Sequence, residues 1–274
     1  MHRLVLVIAN RPAAVPACLC AAREAADVLG GAHVEMLFIR IDPASTILPS
    51  EEVLTKQREE ELSRWNTERA NRVREAYDSW LASCDIDAQA RFHWTVVEST
   101  IEREVRERGA EADLIVLAQP GLARDFYGAQ ILRTAVLESD RPVLVMPRQG
   151  PATLGQSVAI LWDEERSTTK AVLNAMPLLA RASHLSLLSP QHNNDEKPFV
   201  EPRLLVSHDL HADIRAIDWP SHGAGASILR YAHEIGADLL VMGAYARHPL
   251  VELLTGGLTR YMSRQSDLPI LMRH

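Results

Sequence analysis

Residues 237–273 read ADLLVMGAYARHPLVELLTGGLTRYMSRQSDLPILMR, and the rest of the chain is organised around them. Leu239 to Met242 is an unbroken apolar run with Gly243 directly behind it, the pattern of a strand buried on both faces that ends in a sharp turn. A loop follows. Gly256 and Gly257 then open a helix carrying Leu258, Tyr261, Met262 and Arg264, and Asp267-Leu268-Pro269 leads into a second apolar strand from Ile270 to Met272. Glycines where a loop enters a helix let unpaired N–H groups approach a phosphate, and the helix dipole favours negative charge there. Glycine pairs also serve as plain turns, so the stretch alone leaves an anion cradle and a simple turn both open.

Working outward, Ala112-Asp113-Leu114-Ile115-Val116-Leu117-Ala118 matches Ala237-Asp238-Leu239-Leu240-Val241-Met242-Gly243, and Arg141–Met146 matches the Leu268–Met272 strand. The chain is therefore an internal duplication. The first copy, residues 1–148, reads as strand Leu4–Ala9, a helix up to Gly30-Gly31, strand 33–41 and a long charged helix from about 51 to 84. Strand 90–97, helix 99–109, strand Leu114–Ala118, helix 129–139 and strand Val143–Met146 complete it. Residues 149–155 read as a linker. The second copy, residues 156–274, repeats the order with strand Val158–Trp162, helix 168–181, strand 185–188 and a polar excursion at 189–198. A short helix 200–209, strand 211–218, a Ser221-His222-Gly223 turn and helix 225–235 lead to the closing stretch. Alternating strands and helices predict an α/β protein: two tandem copies of a five-stranded parallel sheet with helices on both faces.

The 274 residues are 47% hydrophobic and 24% charged, enough for two ordinary cores, and a net charge of −7 without a basic stripe argues against nucleic acid as a partner. The longest apolar runs are strand-sized and Met1-His2-Arg3 leads straight into a strand, so neither a membrane span nor a signal peptide is expected and the cytoplasm is the predicted compartment. Cys18, Cys20 and Cys84 lack metal-ligand spacing and read as thiols in a reducing compartment, with no structural zinc.

Other polar groupings read as local structure. Asp163-Glu164-Glu165 sits where carboxylates favour a helix N-terminus, so no metal site is expected there. His208, Asp209, His211 and Asp213 straddle a helix end and a strand, and Ser221-His222 lies in a turn without a strand elbow. In the long helix, Leu62, Trp65, Arg69/Ala70, Val73, Tyr77, Trp80, Leu81 and Cys84 recur at helical spacing, with Glu and Arg on the other face, which suggests packing or a partner surface. No nucleophile, base and oxyanion set is recognisable, so an enzyme is not expected.

The element order, the A-D-L-L-V-M-G strand, the glycine loop and the closing P-I-L resemble the universal stress protein family, and the whole chain resembles its tandem form with two adenine nucleotide alpha hydrolase-like, Rossmann-like domains. The resemblance implies a stress-response protein that binds ATP, ADP or AMP, with phosphates on a loop of pattern G-x2-G-x9-G-[S/T] and an Asp at the end of the first strand holding the nucleoside. In the second copy it implies a site made of Leu161, Asp163, Leu188 and Met242 around base and ribose, and Gly243, Ala246, Arg247, Gly256, Gly257, Leu258 and Thr259 around the phosphates. Two positions depart from the pattern. Ala246 replaces the second glycine, a strain of about 1 kcal/mol if that residue is left-handed. Gly257 replaces a hydroxyl residue, losing a donor worth about 1–2 kcal/mol, for which Thr259 is the candidate replacement. In the first copy Asn10 replaces the Asp, Ala118 the first glycine and Ala129 the third, so no nucleotide is expected there. The resemblance further implies edge-strand pairing within the chain, a possible homodimer, no metal beyond nucleotide-bound magnesium, and otherwise a scaffold for a protein partner.

Overall fold

A computed structural model describes residues 3–41, 56–121, 125–148, 150, 153–191, 201–218, 223–244 and 257–274, and the chain forms two compact units, Met1–Arg141 and Pro142–His274. In the first unit β1 (Leu4–Ile8), β2 (His33–Ile41), β3 (Phe92–Ser99) and β4 (Leu114–Ala118) run parallel in the order β3-β2-β1-β4. All of β4 and nearly all of β1 are buried, as continuous apolar runs require. Helices α1 (Val15–Val28) and α2 (Lys56–Ala82) pack together on β1 and β2. A short α3 (Ile86–Arg91) precedes β3, and α4 (Ile101–Glu111) and α5 (Phe126–Glu138) form a second pair against β1, β2 and β4. The chain moves outward along the sheet through α1 and α2 and returns past β1 through α4, and right-handed crossovers place the two directions on opposite faces.

The second unit holds β5 (Val143–Met146), β6 (Ser157–Leu161), β7 (His184–Gln191), β8 (Asp213–Asp218), β9 (Leu239–Gly243) and β10 (Ile270–Arg273). Strands β6 to β10 are parallel in the order β8-β7-β6-β9-β10, the winding of the first unit again, with α6 (Arg166–Leu179), α7 (Arg203–Val206), α8 (Ala224–Glu234) and α9 (Leu258–Gln265) between them. The α/β class with a mainly parallel sheet is thus present. Strand β5 joins this unit by pairing antiparallel with β10, Leu144 opposite Leu271, Val145 opposite Ile270 and Val143 opposite Met272. Since Pro142 to Val145 corresponds in the repeat to Pro269 to Met272, the equivalent leucines face each other.

One aspartate sets the same register in both copies. Asp113 donates its N–H to Leu4 O and accepts the Leu4 N–H on Oδ2, both at 2.8 Å. Asp238 donates to Ser157 O at 2.8 Å, and its buried carboxylate accepts from Thr153 Oγ1 (2.6 Å) and from the N–H groups of Gly155 (2.9 Å), Gln156 (3.1 Å) and Ser157 (3.1 Å). The segment before β6, read from sequence only as a linker, is therefore clamped by a buried charge.

Several boundaries differ from the sequence expectation for local reasons. Asp85 accepts the Ala88 N–H at 2.8 Å and caps the unexpected α3, which delays β3 by two residues. Asp125 caps α5 three residues earlier than apolar spacing suggested. Helix α7 is a single turn, because Asp209 takes a left-handed φ of 57° and ends it. In α2 the expected stripe is packing: Ala70, Val73 and Tyr77 are buried, Tyr77 meets Trp94 and Trp80 meets Phe92 with ring centroids 5.5 and 4.9 Å apart, and Asn66 donates to Ile41 O at 3.0 Å. Residues 51–55 and most of the 189–198 excursion lie outside the described residues.

Two outcomes follow. Asp238→Ala strands four donors and costs about 2–4 kcal/mol in urea unfolding, against about 1–2 kcal/mol for Asp113→Ala; equal costs would contradict the clamp. Burial pushes the Cys18 thiol up to about 12, whereas Cys20 is exposed. Iodoacetamide at neutral pH should therefore alkylate Cys20 in the native protein and Cys18 only after denaturation, as read by peptide mass mapping.

Candidate functional site

In an open α/β sheet, ligands sit beyond the carboxyl ends of the strands where the winding reverses. That crevice lies between β1 and β4 in the first unit and between β6 and β9 in the second.

In the second unit β6 ends at Leu161, the Trp162 N–H donates to Leu188 O at 3.0 Å, and Asp163 follows. Its Oδ1 accepts from the Glu165 N–H (3.1 Å) and the Thr168 hydroxyl (2.6 Å) across a turn in which Glu164 has a left-handed φ of 61°. The half-buried carboxylate is thus fixed in direction, and among the described residues nothing donates to its Oδ2. The β6–β9 register projects Asp163 abreast of Ala244, directly after Gly243. A Cβ on Gly243 would lie 2.7 Å from the Thr168 backbone nitrogen and 2.5 Å from Ser167 Oγ, so packing alone demands glycine there. The Ser167 hydroxyl is buried and has no hydrogen-bond partner among the described residues.

The remaining expected residues are placed less evenly. Leu161, Leu188 and Met242 have at most 3% exposure, so their side chains belong to the core beneath the crevice and present almost no surface to a base. Gly257 is the N-cap of α9 at φ −53° and ψ 174°, values open to any residue, and it offers no side-chain cap to the first turn. Leu258 is half-buried, and Thr259 is buried on the inner face of α9 with Met262 and Ser263. Tyr261 lies over Gly225 of α8, where an added Cβ would come within 2.1 Å of the ring. Ala246, Arg247 and Gly256 lie outside the described residues, as do Ser221 and His222.

The first unit fills its crevice. Asp125 Oδ2 accepts the Gly121 N–H at 2.8 Å and Oδ1 accepts the Gly128 N–H at 2.9 Å, while Asn10 Nδ2 donates to Oδ1 at 3.3 Å. Arg11, on the same β1 end, donates to Gln119 O beyond β4 and lies 3.7 Å from Asp125 Oδ2. Beside this cluster Ile8, Ala9, Leu37, Ile39, Ile101, Ile131 and Tyr127 line a cavity of about 10 Å³, room for about one water. Arg69 also lines it, with its guanidinium 5.1 Å from the Phe38 ring centroid, 4.8 Å from Trp65 and 5.4 Å from Tyr127. Burial lowers the Arg69 pKa, opposed by Tyr127 and Asp125.

The sequence reading missed Asp125, Arg69 and Ser167 as site residues. Asp125, three residues before Gly128, carries the sequence signal of a helix cap. Arg69 was visible only as a cation inside an apolar stripe. The histidine group does not converge: His208 Nδ1 is 2.9 Å from Leu204 O, and His211 is paired at 3.7 Å with Glu201. Among the described residues no three His, Cys, Asp or Glu side chains are grouped to hold a metal, and no helix is long and apolar enough to cross a membrane.

Residues 221–274 match the model of the universal stress protein family. No curated protein matches the sequence. Among solved structures, a universal stress protein from Archaeoglobus fulgidus aligns at 13% identity and a TM-score of 0.67, covering 98% of this chain and 95% of that one. A functionally unknown protein from Pseudomonas aeruginosa aligns at 15% identity and a TM-score of 0.54, covering 99% of this chain and 92% of its own. At these identities the structures speak for fold. Residues 221–274 are thus similar to the universal stress protein family, and the chain as a whole shares the α/β fold of the solved universal stress protein.

Proposed function

We propose that the second unit binds an adenine nucleotide, ATP, ADP or AMP, as a sensing ligand in a cytoplasmic stress response, with the first unit as its scaffold and without catalytic turnover. The observation that carries this is Asp163: a carboxylate aimed by Thr168 and the Glu165 N–H, at the reversal point of the sheet, with Oδ2 left to accept a ribose hydroxyl. Beside it, the orphaned Ser167 hydroxyl next to Gly243 offers a donor at the loop's entrance. Gly257 leaves the first turn of α9 without a side-chain cap, a position where a phosphate favours the helix dipole. Leu161, Leu188 and Met242 support the site from below rather than gripping the base. Magnesium, where present, arrives with the nucleotide.

A specific observation favours scaffolding for the first unit: Asn10, Arg11, Gln119 and Asp125 tie the ends of β1 and β4 to one another.

Adding nucleotide at about 100 times its Kd should stabilise the second unit by about 2.7 kcal/mol in a thermal melt. Asp163→Asn should weaken binding about ten- to a hundredfold, as loss of a bond to a charged group does. Thr168→Val, which removes only the support of the carboxylate, should weaken it less. A folded protein whose melting temperature ignores millimolar ATP, ADP and AMP would remove the proposal.

A further inference from the structure

The contacts of Asp125 exceed those of a helix cap. Its carboxylate is ringed by the Gly121 and Gly128 N–H groups and the Asn10 amide, with the Arg11 guanidinium at 3.7 Å. Arg69 lines the same small cavity as Asn10 and has no paired carboxylate among the described residues. Both glycines are shaped to the carboxylate. A Cβ on Gly128 would lie 2.5 Å from Asp125 Oδ2, and one on Gly121 would lie 2.9 Å from Asp125 Cβ. One negative charge thus sits among backbone donors, an amide and one guanidinium group, at the point of the sheet where an external ligand would enter. An ordinary cap needs the Gly128 bond alone. The bonds back to Asn10 and Gly121 and the ion pair with Arg11 instead reproduce what a bound anion receives.

We propose that the crevice of the first unit is an anion site whose anion is the chain's own Asp125 carboxylate, and that this internal occupant keeps an external phosphate out. The cluster carries a local excess of positive charge once the carboxylate is removed, because Arg11 remains beside the vacated space. A tetrahedral or planar oxyanion then meets the donors that Asp125 now satisfies. The adjoining apolar cavity, which Arg69 helps to line, holds only about 10 Å³, so the exchange admits a small anion and no base. The proposal stands apart from nucleotide binding in the second unit, since it concerns different residues and a different ligand size.

The test is titration of the full chain with inorganic phosphate at constant ionic strength, comparing wild type with Asp125→Gly. The variant should show one additional saturable phosphate site per chain and a phosphate-dependent rise in melting temperature absent from wild type. Asp125→Ser, which keeps a capping oxygen but vacates the carboxylate position, is the second variant should the glycine chain fail to fold, and it should gain the same site. Adding Arg11→Met to either variant should weaken the new site at least about tenfold without removing the fold. Repeating the titration with Asp163→Asn alone reports the second unit separately. Folded Asp125 variants that take up no more phosphate than wild type would overturn the proposal and leave Asp125 as a helix cap.

Discussion

Backbone N–H groups at the turn beyond a buried parallel strand have no neighbour in the sheet to accept them, and whatever satisfies them decides what the crevice can hold. In the first unit a side chain does so: Asp125 takes the Gly121 and Gly128 donors, and Asn10 and Arg11 draw the end of β1 to it. In the second unit the corresponding acidic group sits on the other side of the crevice. Asp163 is turned toward its own helix α6, and Gly257 leaves α9 without a side-chain cap. The duplication has thus left one carboxylate tied to the loop and helix beyond β4 and the other tied to the helix that follows the first strand of its copy.

The same economy of aspartates fixes the frame. Asp113 and Asp238 each lock the first strand of a copy to its fourth through paired main-chain and side-chain bonds, so the crevice between those strands has a defined width before any ligand is considered. Asp238 also gathers the segment ahead of β6, which couples the entry of the second unit to its sheet. At the far side of that unit, the symmetric pairing of β5 with β10 removes an exposed sheet edge on β10.

Much of the fold was legible because buried parallel strands write themselves as apolar runs, and because Ala-Asp-Leu recurs and Pro142-Val143-Leu144 is matched by Pro269-Ile270-Leu271 in the two halves. The boundaries set by caps were harder to read: Asp85 and Asp125 act through a single hydrogen-bonded turn that apolar spacing does not register. The site was legible in part. The position of Asp163 at the end of the first strand of its copy and of Gly243 at the end of β9 could be read from the sequence, whereas the approach of Thr168 that requires glycine at 243 could not. Leu161, Leu188 and Met242 proved to be core, because a strand buried on both faces has no face left for a ligand. Arg11 and Asp125 come from segments far apart in the chain, and only folding brings their charges to one place.

The central claim is that one crevice is occupied from within and the other takes a nucleotide. Native mass spectrometry of the intact chain titrated with ATP measures it most directly. The account predicts saturation at one nucleotide per chain, lost in Asp163→Asn; two nucleotides per chain, or none on the folded protein, would contradict it.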